Sequence, residues 1–228
     1  KKGAVAAIVE REIEGLKEEN PLLIVENVQE ALAQLACSAR NRSAADVIAI
    51  TGSVGKTSSK NLLAKALSQF DSVHSTIGNF NNHIGAPLTL ARLNISSRFA
   101  VFELGMNHSG EIELLSKLIR PKVAMITNVH GVHLEQLKTE RAVAEAKGEI
   151  FQGLTEGGSV VLNQDNAWTE FLKSDAKKRD IQKIITFGED IKSDLQLVEW
   201  QPRKEKSLVT IKHDRKTYKY VLSENGKH

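Results

Sequence analysis

The sequence predicts an α/β fold: a mostly parallel, doubly wound sheet with a phosphate loop, plus a small antiparallel β appendage near the C-terminus. Three observations predict it. Short apolar runs alternate with amphipathic stretches from Val47 to Leu162, as strands joined by helical crossovers do. The first run, Val47 to Ile50, breaks into Thr51-Gly52-Ser53-Val54-Gly55-Lys56-Thr57-Ser58, a glycine loop at a helix start. Beyond Ile181 the texture becomes alternating: Leu195–Trp200, Leu208–Lys212 and Thr217–Leu222 are joined by charged turns.

Taken in order, Gly3–Val9 reads as a strand and Leu22–Val25 as a second. Asn27 followed by Glu30 has N-cap spacing and opens a helix to about Ala39, with Val28, Ala31, Leu32, Leu35 and Ala36 inward. Residues 40 to 46 read as a short linker, so 1–45 is expected to be the remnant of one unit and 46–228 a nucleotide-binding unit. Ser58 to Phe70 reads as a helix with Leu62, Leu63, Ala66, Leu67 and Phe70 on one side, and Ser72–Thr76 as a short strand. Phe99–Leu104 and Val123–Val129 are apolar strands. Between them a helix is expected from a Ser109 cap, with Ile112, Leu115 and Ile119 inward and Pro121 as its stop. Thr139–Leu154 follows as a helix and Ser159–Leu162 as a strand.

Composition limits the functional classes. Hydrophobic residues at 41% and charged residues at 26% describe an ordinary globular protein, and a net charge of +3 is too slight to argue for nucleic acid or an anionic membrane. A single cysteine, Cys37, excludes an internal disulfide framework, points to the cytoplasm, and sits in a helical pattern as an expected core residue. No apolar run reaches the ~20 residues of a membrane span, and no secretory leader is visible. The chain begins without methionine, so a piece of a longer protein is expected, acting as a monomer.

Ligands of an open parallel sheet bind beyond the carboxyl ends of its strands. Three apolar strands here end in polar groups: the loop Thr51–Thr57, Glu103, and Asn128 with His130 and His133. Lys56 supplies a cation for outer phosphates and Thr57 a hydroxyl for magnesium, so ATP or GTP is the expected ligand. Glu103 at a buried strand end adds the hard oxygen ligand that such a cation needs. His133 reads equally well as a metal ligand or as a solvated loop residue. On a wheel of about 100° per residue, Lys147 falls inside the apolar half of its helix, between Leu154 and Phe151. It must snorkel, pair with an anion, or lose its proton. Two amide-rich loops, 78–85 and 105–111, suit either turn chemistry or a polar substrate with peptide or sugar groups.

The runs TGSVGKTSSK (51–60), GNFNNHIGAPLTLARL (78–93), ELGMNHSGEI (103–112), TNVHGVHLE (127–135) and AKGEIFQGL (146–154) resemble, in order and spacing, the central ATPase domain of the Mur ligases. Within that family they look most like the type that joins D-alanyl-D-alanine to UDP-N-acetylmuramoyl-tripeptide in peptidoglycan synthesis. The resemblance implies an ATP-dependent amide ligase working through an acyl phosphate. It implies nucleotide binding by Thr51, Gly52, Ser53, Val54, Gly55, Lys56, Thr57 and Ser58. Magnesium would be held by Thr57, Glu103, His133 and Lys147, and catalysis would fall to Lys56, Glu103, His133 and Lys147. Lys147 matches a lysine that the family carries as a carbamate. Asn79, Asn81, Asn82, Asn107 and His108 match loops near the UDP-muramoyl-peptide. Two letters depart from the family loop, which usually has asparagine at Val54 and threonine at Ser58. The family also has a C-terminal domain, which this chain is expected to lack and without which ligation should be poor. Folylpolyglutamate- or cyanophycin-synthetase-type ligases, and a phosphate-loop module without ligase chemistry, are the alternative readings.

Overall fold

The computed structural model describes residues 4–13, 21–131, 137–204 and 206–222. Two strands, β1 (Ala7–Val9) and β2 (Leu22–Ile24), pair in parallel with each other and, among the described residues, with no other strand. Helix α1 (Val28–Asn41) follows, capped as the sequence predicts: the Asn27 side chain accepts from the N–H of Gln29 and Glu30. Its inward stripe differs from the expected one. Ala36 and Ala39 are buried, whereas Leu35 is half exposed and Cys37 is exposed. Cys37 is therefore no core residue; it lies one position, about 100° of helix rotation, from Ala36.

Residues 40–45 form an ordered joint. The Arg40 guanidinium donates to Ile119 O (2.7 Å), Arg120 O (3.1 Å) and Ser43 O (3.1 Å). Two of these carbonyls belong to the end of helix α4 (Glu111–Ile119), where intrahelical donors run out. Helix α1 thereby packs against α4 and against α3 (Gly85–Ala91).

Among the described residues the main sheet has nine strands, numbered along the chain, in the order β11-β10-β9-β8-β7-β6-β3-β5-β4. Its centre is β3 (Asp46–Thr51), flanked in parallel by β5 (Phe99–Glu103) and β6 (Val123–Ile126). Val47, Ala49, Ile50, Phe102 and Ala124 are buried here, which accounts for the unbroken apolar runs. Asp46 anchors the start of β3 between its neighbours: Lys122 donates to Oδ1 at 2.8 Å and Arg98 pairs with Oδ2 at 3.0 Å. The Lys122 hydrogen bond is the main reason the Asp46 carboxyl ionises below its usual range.

Strands β4 (Val73–Ser75), β7 (Ser159–Asn163) and β8 (Lys183–Gly188) extend the parallel set. Beyond β8, the strands β9 (Leu195–Arg203), β10 (Lys206–His213) and β11 (Lys216–Leu222) run antiparallel to one another, as expected. They are continuous with the main sheet, because β9 pairs in parallel with β8 at Phe187↔Leu195 and Gly188↔Gln196.

Other boundaries move for identifiable reasons. Helix α2 (Lys56–Leu67) starts directly after Gly55 and ends before Phe70, which is 81% exposed rather than inward. Helix α5 (Glu140–Gly148) is capped by the Thr139 hydroxyl, then tightens into a 3-10 turn over Glu149–Gly153. Ser109 does not cap α4. Its Oγ donates to Glu149 Oε1 (2.8 Å), and that carboxylate also accepts from the N–H of Gly110 (2.7 Å) and Glu113 (3.3 Å). Helices α3 and α6 (Thr169–Lys178) and strand β8 have no counterpart in the pattern read from the sequence. No helix among the described residues is long and apolar enough to cross a membrane.

Candidate functional site

Parallel pairing brings three strand ends to one edge. Ile50 lies opposite Glu103, and Thr51 lies opposite Ile126. The loop after β3, the acid ending β5 and the polar residues after β6 are thus neighbours.

The loop begins where Gly52 takes φ +152° and ends where Gly55, at φ +80°, enters α2. A Cβ at Gly52 would stand 1.8 Å from the Thr127 hydroxyl, so this position requires glycine on both grounds. Thr127 Oγ1 donates to Val54 O at 2.6 Å, and its N–H to Thr51 O at 3.0 Å. Asn128 accepts from the loop: Ser53 N–H reaches Asn128 O (3.1 Å) and Val54 N–H reaches Asn128 Oδ1 (3.0 Å). Ser53 Oγ accepts from His130 N–H at 2.9 Å. The N–H groups of Ser53 and Val54 are therefore committed to the β6 end. Those of Gly55, Lys56, Thr57 and Ser58 have no acceptor among the described residues, and they form the free first turn of α2 with the positive end of its dipole.

Lys56 Nζ donates to Gly52 O at 2.7 Å and to Ser53 O at 3.4 Å, so the cation lies over the loop. Burial lowers its pKa, while the charge of Glu103 opposes that shift. Glu103 is 1% exposed, and both of its oxygens are engaged: Thr57 Oγ1 donates to Oε2 at 2.8 Å and Asn81 Nδ2 to Oε1 at 2.7 Å. A buried carboxylate and a hydroxyl in contact are hard oxygen donors of the kind magnesium takes in small number alongside phosphate and water. The pair fits such an ion. Among the described residues there is no cluster of three His, Cys, Asp or Glu that would form a cage without them. His133 lies outside the described residues.

Lys147 is 2% exposed, and no hydrogen-bond acceptor meets its Nζ among the described residues. Little room is thereby left for snorkelling. Burial, and next the nearby charge of Lys56, lower its pKa to about 7. Glu103 acts on Lys56 and Lys56 on Lys147, so the three charges lie within one electrostatic neighbourhood.

The amide residues divide by use. Asn81 is bound to Glu103, and its backbone O accepts from Gly105 N–H at 2.8 Å. Asn82 Oδ1 accepts from the N–H of Gly85 (2.8 Å) and Ile84 (3.2 Å), starting α3; this is turn chemistry. Asn79, Asn107 and His108 are exposed, with His108 Nδ1 3.2 Å from Glu111 Oε1 and Asn107 N–H bound to Glu111 Oε2 at 2.8 Å. Beside the loop, a mostly apolar cavity of about 360 Å³ is lined by Val54, Gly55, Ser59, Phe187, Trp200 and Tyr220, among others. Sequence reasoning passed over Thr127, Lys60, Thr76 and Glu149. Their roles depend on partners distant in the chain, and only the buried position of Lys60 within its helix left a local trace.

Comparison with known proteins gives the family. The model of the Mur ligase middle domain matches residues 50–228. A UDP-N-acetylmuramoyl-tripeptide–D-alanyl-D-alanine ligase of Rickettsia prowazekii is 39% identical over 197 residues, covering 86% of this chain and 44% of that protein. The crystal structure of MurF from Acinetobacter baumannii superposes with a TM-score of 0.86 at 32% identity, over 96% of this chain and 47% of its own. MurF ligase from Thermotoga maritima, solved in complex with ADP, gives 0.78 at 27% identity, over 97% of this chain and 50% of its own. The chain spans about half the length of the relatives it matches. With more than three quarters of its residues inside that match, the chain belongs to the Mur ligase family, by its middle domain.

Proposed function

We propose that this chain is the ATP-binding part of a ligase that joins D-alanyl-D-alanine to UDP-N-acetylmuramoyl-tripeptide, acting in the cytoplasm in peptidoglycan synthesis. The observation that carries the proposal is the contact of Thr57 with the buried Glu103 carboxylate at the open first turn of α2. The names of the relatives support the choice of substrates.

In this reading the N–H groups of Gly55 to Ser58 and the Lys56 ammonium bind the outer phosphates of ATP. Lys56 exchanges loop carbonyls for phosphate oxygens, a stronger charge-assisted bond. Thr57 and Glu103 would hold magnesium, with His133 and a carbamylated Lys147 as further ligands. The metal supplies charge neutralisation as the peptide carboxylate takes the γ-phosphate. A buried lysine whose pKa lies near 7 is half neutral at physiological pH, and a neutral amine is the form that captures carbon dioxide. The product would be an anion, removing an unpaired cation from the apolar stripe. The acyl phosphate then meets the amine of D-alanyl-D-alanine, and phosphate leaves as the amide forms. Asn79, Asn107 and His108, exposed near the site, are assigned to the muramoyl-peptide. The division at residues 45/46 is proposed as well: among the described residues β1 and β2 pair with no strand of the main sheet, while α1 packs on α3 and α4 across that division.

The test is a chimera in which residues 50–228 replace the matching segment of a full-length relative. ADP release that requires UDP-N-acetylmuramoyl-tripeptide is expected. Release indifferent to that compound would contradict the proposal and favour a simple nucleotide-binding module.

A further inference from the structure

Lys60 is a buried cation for which the chemistry above has no use. It lies three residues after Thr57, one turn along α2, and is 2% exposed with no carboxylate partner among the described residues. Its Nζ donates to Thr76 O at 2.8 Å and to Gly78 O at 3.2 Å. These carbonyls lie just past β4, where the ladder with β5 ends at Ser75↔Val101. An apolar side chain of similar length would fill the space without the desolvation penalty of an ammonium. What the lysine adds is a hold on the segment that leaves β4.

That segment carries two groups that orient Glu103. Thr76 Oγ1 accepts from Glu103 N–H at 3.1 Å, and Asn81 Nδ2 donates to Glu103 Oε1. Glu103 Oε2 in turn accepts from Thr57, back on α2. The contacts close a ring: Lys60 to Thr76, Thr76 to Glu103, Glu103 to Thr57, and one helical turn from Thr57 to Lys60. We propose that Lys60 is a positioning residue, which ties residues 76–81 to the phosphate-loop helix and so fixes the Glu103 carboxylate against Thr57. The inference rests on the reading of Thr57 and Glu103 as a magnesium site. It adds a residue that never touches the metal yet sets how well the metal is held.

The test uses the chain itself with Lys60→Met, Lys60→Arg and Thr76→Val, the last cutting the ring at its next link. ATP binding is titrated over a series of magnesium concentrations, and amide hydrogen exchange is followed over residues 76–82. For Lys60→Met and Thr76→Val we expect about a ten-fold rise in the magnesium needed for half-maximal ATP binding, the usual scale for losing a ligand's support. ATP affinity without magnesium should be nearly unchanged. Lys60→Arg, which keeps charge and donors, should recover most of the magnesium response. Exchange at 76–82 should quicken in Lys60→Met. If Lys60→Met does not fold, Thr76→Val decides. Unaltered magnesium dependence in the folded variants would overturn the proposal, because a lysine that merely satisfied two carbonyls would alter stability alone. If the unsubstituted chain shows no magnesium-dependent binding, the proposed function fails. The clamp is then judged on exchange, and unchanged rates at 76–82 in Lys60→Met would overturn it.

Discussion

Lys147 is a lysine buried in the apolar stripe of α5. Its place in an apolar stripe left three outcomes open, and 2% exposure leaves little room for snorkelling. A lysine whose folded pKa of about 7 lies below its unfolded value of 10.5 destabilises the fold wherever it must stay protonated inside. The penalty is full below about pH 7 and fades toward the unfolded value, because over that window the unfolded chain holds a proton that the native chain has released. Urea unfolding should therefore show stability rising from pH 7 to pH 10. Lys147→Met should abolish the rise and stabilise the chain at pH 6 by about 3–5 kcal/mol. With carbon dioxide excluded, so that the lysine is not a carbamate, an unchanged pH profile in that variant would mean the amine lies in water. At Gly52, alanine should lower nucleotide affinity at least about ten-fold, since its Cβ would collide with Thr127 and tilt the loop. Equal affinity in a binding titration would show that the loop relaxes freely.

At the scale of elements, spacing along the chain carries the caps and stripes that depend on near neighbours, and not those that depend on distant partners. The Asn27 cap and the Ile112, Leu115, Ile119 stripe follow from spacing alone, and the structure contains both. The cap of α4 does not follow from spacing. Serine before a helix is the usual signal, but Glu149 arrives from about forty residues away and takes the N–H groups of Gly110 and Glu113. Two of the amide residues hydrogen-bond within the fold: Asn82 starts α3, and Asn81 supports Glu103. Helix α3 carries Pro87 in its first turn, where proline is well tolerated. Glu149→Ala should cost about 1–2 kcal/mol, as loss of a charged N-cap does. Thermal melting of that variant, with a fall of only a fraction of a degree, would deny the carboxylate its capping role.

Across the whole molecule, the alternation of strands and helices made the parallel sheet legible, and the alternating texture after Ile181 made β9 to β11 legible. The strand order and the junction between the two regions were not, since only two residue pairs join β8 to β9. Such a narrow seam should let β9–β11 open below global unfolding. Native-state hydrogen exchange should show weaker protection there than in β3, β5 and β6, and equal protection would make the sheet one cooperative unit. The central claim is that the edge built by β3, β5 and α2 binds a triphosphate together with magnesium. Isothermal titration of the chain with ATP, with and without magnesium, tests it most directly when repeated on Lys56→Met and Glu103→Gln. The account predicts tight binding that needs magnesium, lost in Lys56→Met and indifferent to magnesium in Glu103→Gln. Binding of equal strength in all three proteins, with or without the cation, would contradict it.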